Sequence, residues 1–517
     1  MVGSKLIYPN GKLQEAGGIV WDNGECYNYG RGNNSDMPEY NYVKEVDYIS
    51  GISILIRKCV WEKIGGFDKR YIPVYYEDKD FAFEIRRLGY KVIYQPKSVV
   101  VNYKGISNGK FLSSDIKKYQ IRNKKKFIKK WKSELKYQKE KGNTFQSRDR
   151  GYNRIFVVDG DVPSFNKNAG YRCTYMYLNI FKEIGLQVTF LPFNFNNKEP
   201  YTTILQQKGI EVLYGDWYKK NIKNWLKTNL KYFKYVYLER PKIALTYYNL
   251  IRKHFSGKIF YFAHDLHYIR LFRQYKITHD KTKLRHSEIS KKIEMQIFSN
   301  VDVIHVVGNY EYQLLKEKFN KKIIRNIPLY IYDKLLTNIE KDFSKRSGLI
   351  YVGGFSFSPN RDAVLWFSKN VYPEIVKRFP DIVWHIVGSH LPDIIRKLES
   401  KNIKIEGFLS DEDLSSLYQK CRIAIVPLRY GAGVKGKIVE AAYNQIPIVT
   451  TSIGGEGLDN SFGTFIIEDE PEKMSEAIIN LYSNYSKLRQ MSDSGKKFIE
   501  TYFSINRAKE VLLMDMK

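Results

Sequence analysis

A chain of 517 residues with 85 Lys and Arg against 55 Asp and Glu, 43% hydrophobic and 15% aromatic residues, is long enough for about three domains and too apolar to be disordered. Its four widely spaced cysteines argue against a disulfide framework or zinc cluster, and no run approaches the roughly 18 apolar residues of a membrane span. The net charge of +30 predicts an anionic partner such as a phosphorylated substrate or an anionic membrane surface, unless it is only a solvated lysine-rich face; nucleic acid is disfavoured because no helix-turn-helix, zinc-finger or RNA-binding signature accompanies the charge.

In chain order, residues 1–112 carry short β-rich runs ("DYISGISILIRK", "YKVIYQPKSVVVNY") and a helix that begins at the paired acids Glu77 and Asp78. Residues 113–150 form a basic helix and linker. Ile121, Phe127, Ile128, Trp131 and Leu135 recur there at helical spacing, so the stripe docks on its own domain or, alternatively, on an anionic membrane. From Arg154 onward β-rich runs alternate with helical periodicity ("NRIFVVDG", "QVTFLPF", "KIFYFAHD", "VDVIHVVG", then "SGLIYVGG", "IVWHIVG", "RIAIVPL", "IPIVTT"). That alternation predicts an α/β fold of two doubly wound domains, 151–330 and 331–517, with a boundary near 328–346 and a ligand cleft between them.

"RIAIVPLRYGAGVKGKIVEAAYNQIPIVTT" reads as strand, glycine-rich loop, helix, strand. Gly431, Gly433 and Gly436 would leave backbone amides open to a diphosphate at the helix start, with Arg429, Lys435 and Lys437 supplying charge and Glu440 accepting from ribose hydroxyls. Tight packing of helix on strand also selects glycine, so the loop alone does not decide. "GLIYVGGFSFSPNRDAVLWF" together with this segment resembles the C-terminal nucleotide-binding domain of GT-B glycosyltransferases of the family 4 type, over residues 154–517. The resemblance implies a nucleotide-diphosphate sugar as co-substrate and no metal or other cofactor. It also implies transfer in the cleft, usually with retention of configuration. Glu440 matches the second acid of the family's Glu-x7-Glu pattern, and Ala432 stands where the first would be. Gly353 and Gly354 close the first C-terminal-domain strand without the family's Arg and Lys, and Phe408 and Leu409 fall at the base-binding turn. In the N-terminal half the resemblance places His264 and Asp265 facing the donor sugar, and Gly170 and Arg172 beside its phosphates; a plain loop histidine with a capping aspartate fits the same residues. Asp159 and Asp161 imitate a metal-binding DxD, but their position at a strand end favours a loop or cap.

"VDYISGISILIRKCVWEKIGGFDKRY" and "YYEDKDFAFEIRRLGYKVIYQPKSVVV" resemble the second half of a GT-A family 2 glycosyltransferase, which implies Asp78 as the base that deprotonates an acceptor hydroxyl. The nucleotide-binding half of such a domain has no counterpart here, so residues 1–112 are expected to be truncated or degenerate, and Mg or Mn would enter only with an intact GT-A half. The expected protein is a cytoplasmic glycosyltransferase, with attachment to the inner face of the plasma membrane as an extension. It extends a lipid-linked cell-surface polysaccharide; the alternative is a non-catalytic glycan-binding or scaffolding protein.

Overall fold

The computed structural model describes residues 1–103, 113–150 and 153–516, so the expected boundaries at 112 and 151 lie outside the described residues. The chain forms two compact units that do not follow chain order. The first comprises Met1–Val162, Phe181–Val236 and Leu250–Gly257; the second comprises Pro163–Ile180, Tyr237–Asn249 and Lys258–Lys517.

In the first unit, strand Val2–Ile7 pairs parallel with Ile93–Val101 and antiparallel with Leu13–Glu15 and Ile54–Leu55. Helix Glu77–Arg87 carries Glu77, Asp78 and Asp80 in its first turn and Arg86 and Arg87 in its last, complementing the helix dipole at both ends. Phe81, Phe83 and Ile85 enter the core. The basic helix Ser113–Lys130 and the short helix Lys132–Leu135 after it dock on this same core through Phe127, Trp131 and Leu135, all at most 3% exposed, whereas Ile121 stays exposed. Asp80 fixes that docking. Its buried carboxylate accepts from the Tyr71 hydroxyl (2.9 Å), the Trp131 indole (2.6 Å) and Lys130 (2.8 Å), the donors a buried charge requires. Asn123 adds bonds of 2.8 Å to the carbonyls of Tyr71 and Val74. A further parallel run in this unit orders Glu211–Val212, Leu186–Pro192 and Asn153–Asp159 side by side.

In the second unit, strands Lys258–Ala263, Val303–Val306 and Ile323–Asn326 pair in parallel. A six-stranded parallel sheet follows, in the spatial order Ile403–Gly407, Trp384–Val387, Leu349–Val352, Ile423–Val426, Ile448–Thr450, Phe465–Ile467. Its strands are continuous apolar runs such as "IAIV" because helices cover both faces. The last helix, Ile505–Asp515, returns to the first strand set: Asp515 accepts from Arg325 at 2.9 and 3.0 Å and its carbonyl from Lys258 at 3.0 Å. Among the described residues no helix is long and apolar enough to cross a membrane.

Candidate active site

Counted along the chain, the six strands lie in the order 3-2-1-4-5-6. The chain therefore reverses between Leu349–Val352 and Ile423–Val426, and an open parallel sheet receives ligands in the crevice beyond the carboxyl ends of the strands at such a point. Val352 runs there into Gly353 and Gly354, and Val426 into the glycine loop and helix Gly436–Tyr443.

Packing accounts for two of the loop glycines. Gly433 has φ +70°, and a Cβ on it would lie 2.6 Å from the His264 carbonyl oxygen; a Cβ on Gly436 would lie 2.9 Å or less from the Tyr330 ring. The loop thus rests directly on the His264–Asp265 backbone. Nor are all its polar groups open. The Gly433 amide donates to Glu311 (2.7 Å), a buried carboxylate whose pKa is raised by burial, and the Gly431 carbonyl accepts from Arg273 (2.8 Å), itself forked onto Glu456 at 2.7 and 2.6 Å.

The cations expected around a diphosphate divide accordingly. Arg429 forms a two-pronged ion pair with Asp362, through Nε at 2.9 Å and through a second, closer nitrogen. Buried Lys435 bonds to the Gly433 carbonyl and has Glu456 and Glu311 as its nearest opposing charges. Lys437 differs: among the described residues its ammonium hydrogen-bonds to neutral oxygens, the Tyr351 hydroxyl at 2.8 Å and Asn360 Oδ1 at 2.6 Å, and stands 4.3 Å from the Tyr351 ring centroid, with Glu440 as an opposing charge that it does not contact. Burial, with Lys435 nearby, pushes its pKa down to about 7. Asn360 also donates to the Gly354 carbonyl (2.7 Å), and a Cβ on Gly353 would stand 3.0 Å from the Lys437 nitrogen. One amide therefore ties the first-strand turn to the lysine. No side chain among the described residues caps the helix that Lys437 enters, although the Ile438 amide donates to the Lys435 carbonyl at 2.9 Å.

Glu440, one turn on, accepts from Arg172 (3.1 Å) of helix Ala169–Glu183; burial raises the Glu440 carboxyl and Arg172 opposes it. Gly170, in the first turn of that helix, donates to Asn168 Oδ1 (2.9 Å). His264 Nε2 lies 2.7 Å from Glu239 Oε2, which also accepts from Thr174 (2.9 Å). With Nε2–H donated to Glu239, Nδ1 is left buried with a bare lone pair and no hydrogen-bond partner among the described residues. Asp265 turns toward His267 and Arg270, each at 3.1 Å; burial would raise its carboxyl, but the Arg270 guanidinium and the hydrogen bond from His267 hold it well below the usual range. Asn360, Glu239, Glu311 and Arg273 were not singled out by the sequence reading. Only Glu239 carried a signal, since it ends the strand Tyr235–Glu239.

Residues 346–484 match the family model described as Glycosyl transferases group 1. This segment is a group 1 glycosyl transferase domain. The chain is 27% identical over 237 residues, 40% of its length, to an uncharacterized 44.6 kDa protein in the cps region of Klebsiella pneumoniae, and covers 60% of that relative. It is 33% identical over 67 residues, 13% of its length, to an N-acetylglucosaminyl-diphospho-decaprenol L-rhamnosyltransferase of Mycobacterium tuberculosis, of which it covers 22%. It thus spans less than two thirds of either curated relative. The sucrose-phosphate synthase of Thermosynechococcus elongatus superposes with a TM-score of 0.53 at 13% identity, over 70% of this chain and 98% of that one, and the α/β fold with parallel sheets resembles that of GT-B glycosyltransferases.

Within the group 1 domain, Phe408 is exposed and Leu409 half-buried just before Ser410. Ser410 caps helix Asp411–Lys420 by accepting from the Asp413 amide, so Asp411 to Asp413 fill the first turn and the cap itself is the serine. In the first unit, Asp78 accepts from the Gly51 amide (3.2 Å) and pairs with Lys79 (2.9 Å). Asp161 accepts from Lys198 (2.6 Å), and no cluster of His, Cys, Asp and Glu among the described residues has the makings of a metal site.

Proposed function

We propose that this protein is a glycosyltransferase that moves a sugar from a nucleotide-diphosphate donor to a growing cell-surface glycan carried on a lipid. The observation that supports this most is Lys437, a desolvated ammonium with neutral partners only, at the switch point and at an uncapped helix start. A buried ammonium whose hydrogen-bond partners are all neutral is costly; Glu440 offsets that cost only in part, and a bound diphosphate would supply a contacting countercharge. As the bond from the anomeric carbon to phosphate breaks, negative charge grows on the diphosphate, and Lys437 with the first amides of helix Gly436–Tyr443 stabilises it. The acceptor hydroxyl oxygen bonds to the anomeric carbon as that bond breaks, and its proton passes to the oxygen of the departing diphosphate. Glu440, steadied by Arg172, accepts from the ribose, and His264 Nδ1 accepts from a sugar hydroxyl. An envelope acceptor is supported by the names of the relatives, one in a cps region and one acting on a diphospho-decaprenol. We read residues 1–112 as GT-A-like, with Asp78 in the position of its base.

The non-catalytic alternative draws on Arg429, Lys435 and the Gly433 amide, all engaged by protein partners. A thermal-shift screen against uridine, guanosine, adenosine and thymidine diphosphates and their sugar conjugates separates the readings. A ligand at a hundredfold its Kd stabilises by about 2.7 kcal/mol. A shift followed by donor turnover supports transfer, a shift without turnover the binding protein, and no shift with any nucleotide overturns the donor site.

A further inference from the structure

We propose that a groove in the second unit, distinct from the donor crevice, binds an uncharged stretch of the acceptor glycan; this rests on the transferase reading. The groove, about 750 Å³, lies within the range of roughly 300–1,000 Å³ typical of ligand sites. Helix Asn309–Lys318 forms one wall, and the residues it presents, from Tyr310 through Gln313 to Glu317, share one helical face. The loop at Gly457–Asp459 and the ends of helices Tyr485–Tyr502 and Ile505–Asp515 form the rest.

Its chemistry excludes the partner that the whole chain's charge suggests. The chain is +30, yet the groove lining offers the carboxylates of Glu317 and Asp459 against Arg507, which is paired with Glu510 at 2.9 Å; Arg273, 5.3 Å from the Tyr310 ring centroid, is itself forked onto Glu456. A phosphate, uronate or sulfate would be repelled there. The lining includes the amides of Gln313 and Asn326, the tyrosine rings of Tyr310 and Tyr502, and buried Phe498 and Phe503. Amides and carboxylates match vicinal hydroxyls, and aromatic faces match the C–H faces of pyranose rings; that combination selects a neutral saccharide.

The groove also adjoins the donor loop through two direct connections. The groove-lining helix carries Glu311, which holds the Gly433 amide at 2.7 Å, and its first residue donates from the Asn309 amide to the Gly457 carbonyl at 3.0 Å. Gly457 follows Glu456, the partner of Arg273. A glycan seated here therefore lies one helix from the glycine loop.

The test uses the full chain on an array of neutral gluco-, galacto-, manno-, rhamno- and N-acetylhexosamine oligosaccharides printed beside sulfated and uronate-containing ones. The expected result is retention on at least one neutral class and none on the acidic classes, with Tyr310→Ala and Gln313→Ala each weakening retention about tenfold at unchanged melting temperature. Retention confined to acidic glycans, retention indifferent to both substitutions, or no retention on any neutral glycan overturns the inference. The nucleotide thermal shift of the unaltered chain is read alongside. If it is absent the donor-site reading fails, and if it is present while the array is blank only the groove fails.

Discussion

In the first unit Asp78 sits in a corner crowded with carboxylates; in the second, Lys437 sits in a corner of neutral oxygens. Around Asp78, burial pushes the Glu15 carboxyl up to about 7 and raises that of Glu77, while Lys79 is held above its ordinary range, because contact with Asp78 overrides the burial that would lower it. That corner is acidic, and Asp78 is balanced by its own sequence neighbour. Around Lys437 the shift runs the other way, because burial finds no contacting carboxylate to compensate it. Two adjacent acids before a helix catch the eye in the sequence, yet the second of the helix's aspartates, Asp80, turns out to bolt the basic helix in place. An uncompensated charge is a better pointer to an anionic ligand than a conspicuous one that is already paired.

The largest effect should come from removing the charge that no carboxylate contacts. Lys437→Ala is expected to lower donor turnover about 10²- to 10³-fold, the size of losing one fixed donor to developing negative charge. Asp78→Asn should leave turnover within about twofold, since a base contributes its 10²–10⁴ only when it touches the reacting proton. Initial rates of nucleoside diphosphate release measure both. Equal losses in the two variants would erase the contrast between the corners and restore a catalytic role to the first unit.

The first unit should instead respond in stability. Trp131→Ala removes a buried ring and the indole donor to Asp80, and is expected to cost about 3–5 kcal/mol, read as a lowered midpoint in denaturant melts followed by a probe in that unit. Turnover by the fraction still folded should be unaffected.

The parallel architecture was legible because alternation of apolar runs and helical periodicity is a local signal, and so was the glycine loop, because its residues are contiguous. What escaped was pairing over distance. Nothing around Arg429 announces Asp362, nothing around Gly433 announces Glu311, and Asn360 is one polar residue in a helix until the fold brings it between Gly354 and Lys437. Two of the loop glycines, read as clearance for a ligand, proved to be clearance for His264 and for Tyr330. Such partners belong to the tertiary fold, and a single sequence read by itself does not display them.

A smaller effect follows from the depressed pKa of Lys437. Folded, the group loses its proton as pH rises through about 7, where a free lysine would hold it to about 10.4. An anionic donor requires the ammonium, so above pH 7 binding must draw a proton from the buffer, and affinity should fall by up to tenfold per pH unit. Calorimetric titration at pH 8 in two buffers of different ionisation enthalpy should show that uptake. Lys437→Arg, which stays charged, should abolish it even if affinity drops; persistence of the uptake in that variant would assign it to another group.

The smallest effect should be at Arg429, which from its position beside the glycine loop reads as a phosphate ligand. It is forked onto Asp362 and about a third exposed, so donating to a diphosphate would mean breaking a made ion pair for one new contact. Partly exposed pairs contribute only about 0–1 kcal/mol, so Arg429→Ala should change donor affinity by less than about fivefold and shift the melting temperature little. Asp362→Asn provides the sharper half of the comparison. If the arginine is held away from the crevice by its carboxylate, freeing it should tighten nucleotide binding, and Arg429→Ala in the same background should take that gain away. If instead Arg429→Ala alone cost as much as Lys437→Ala, the distinction between a paired cation and an uncompensated one would no longer separate structural charge from binding charge in this domain.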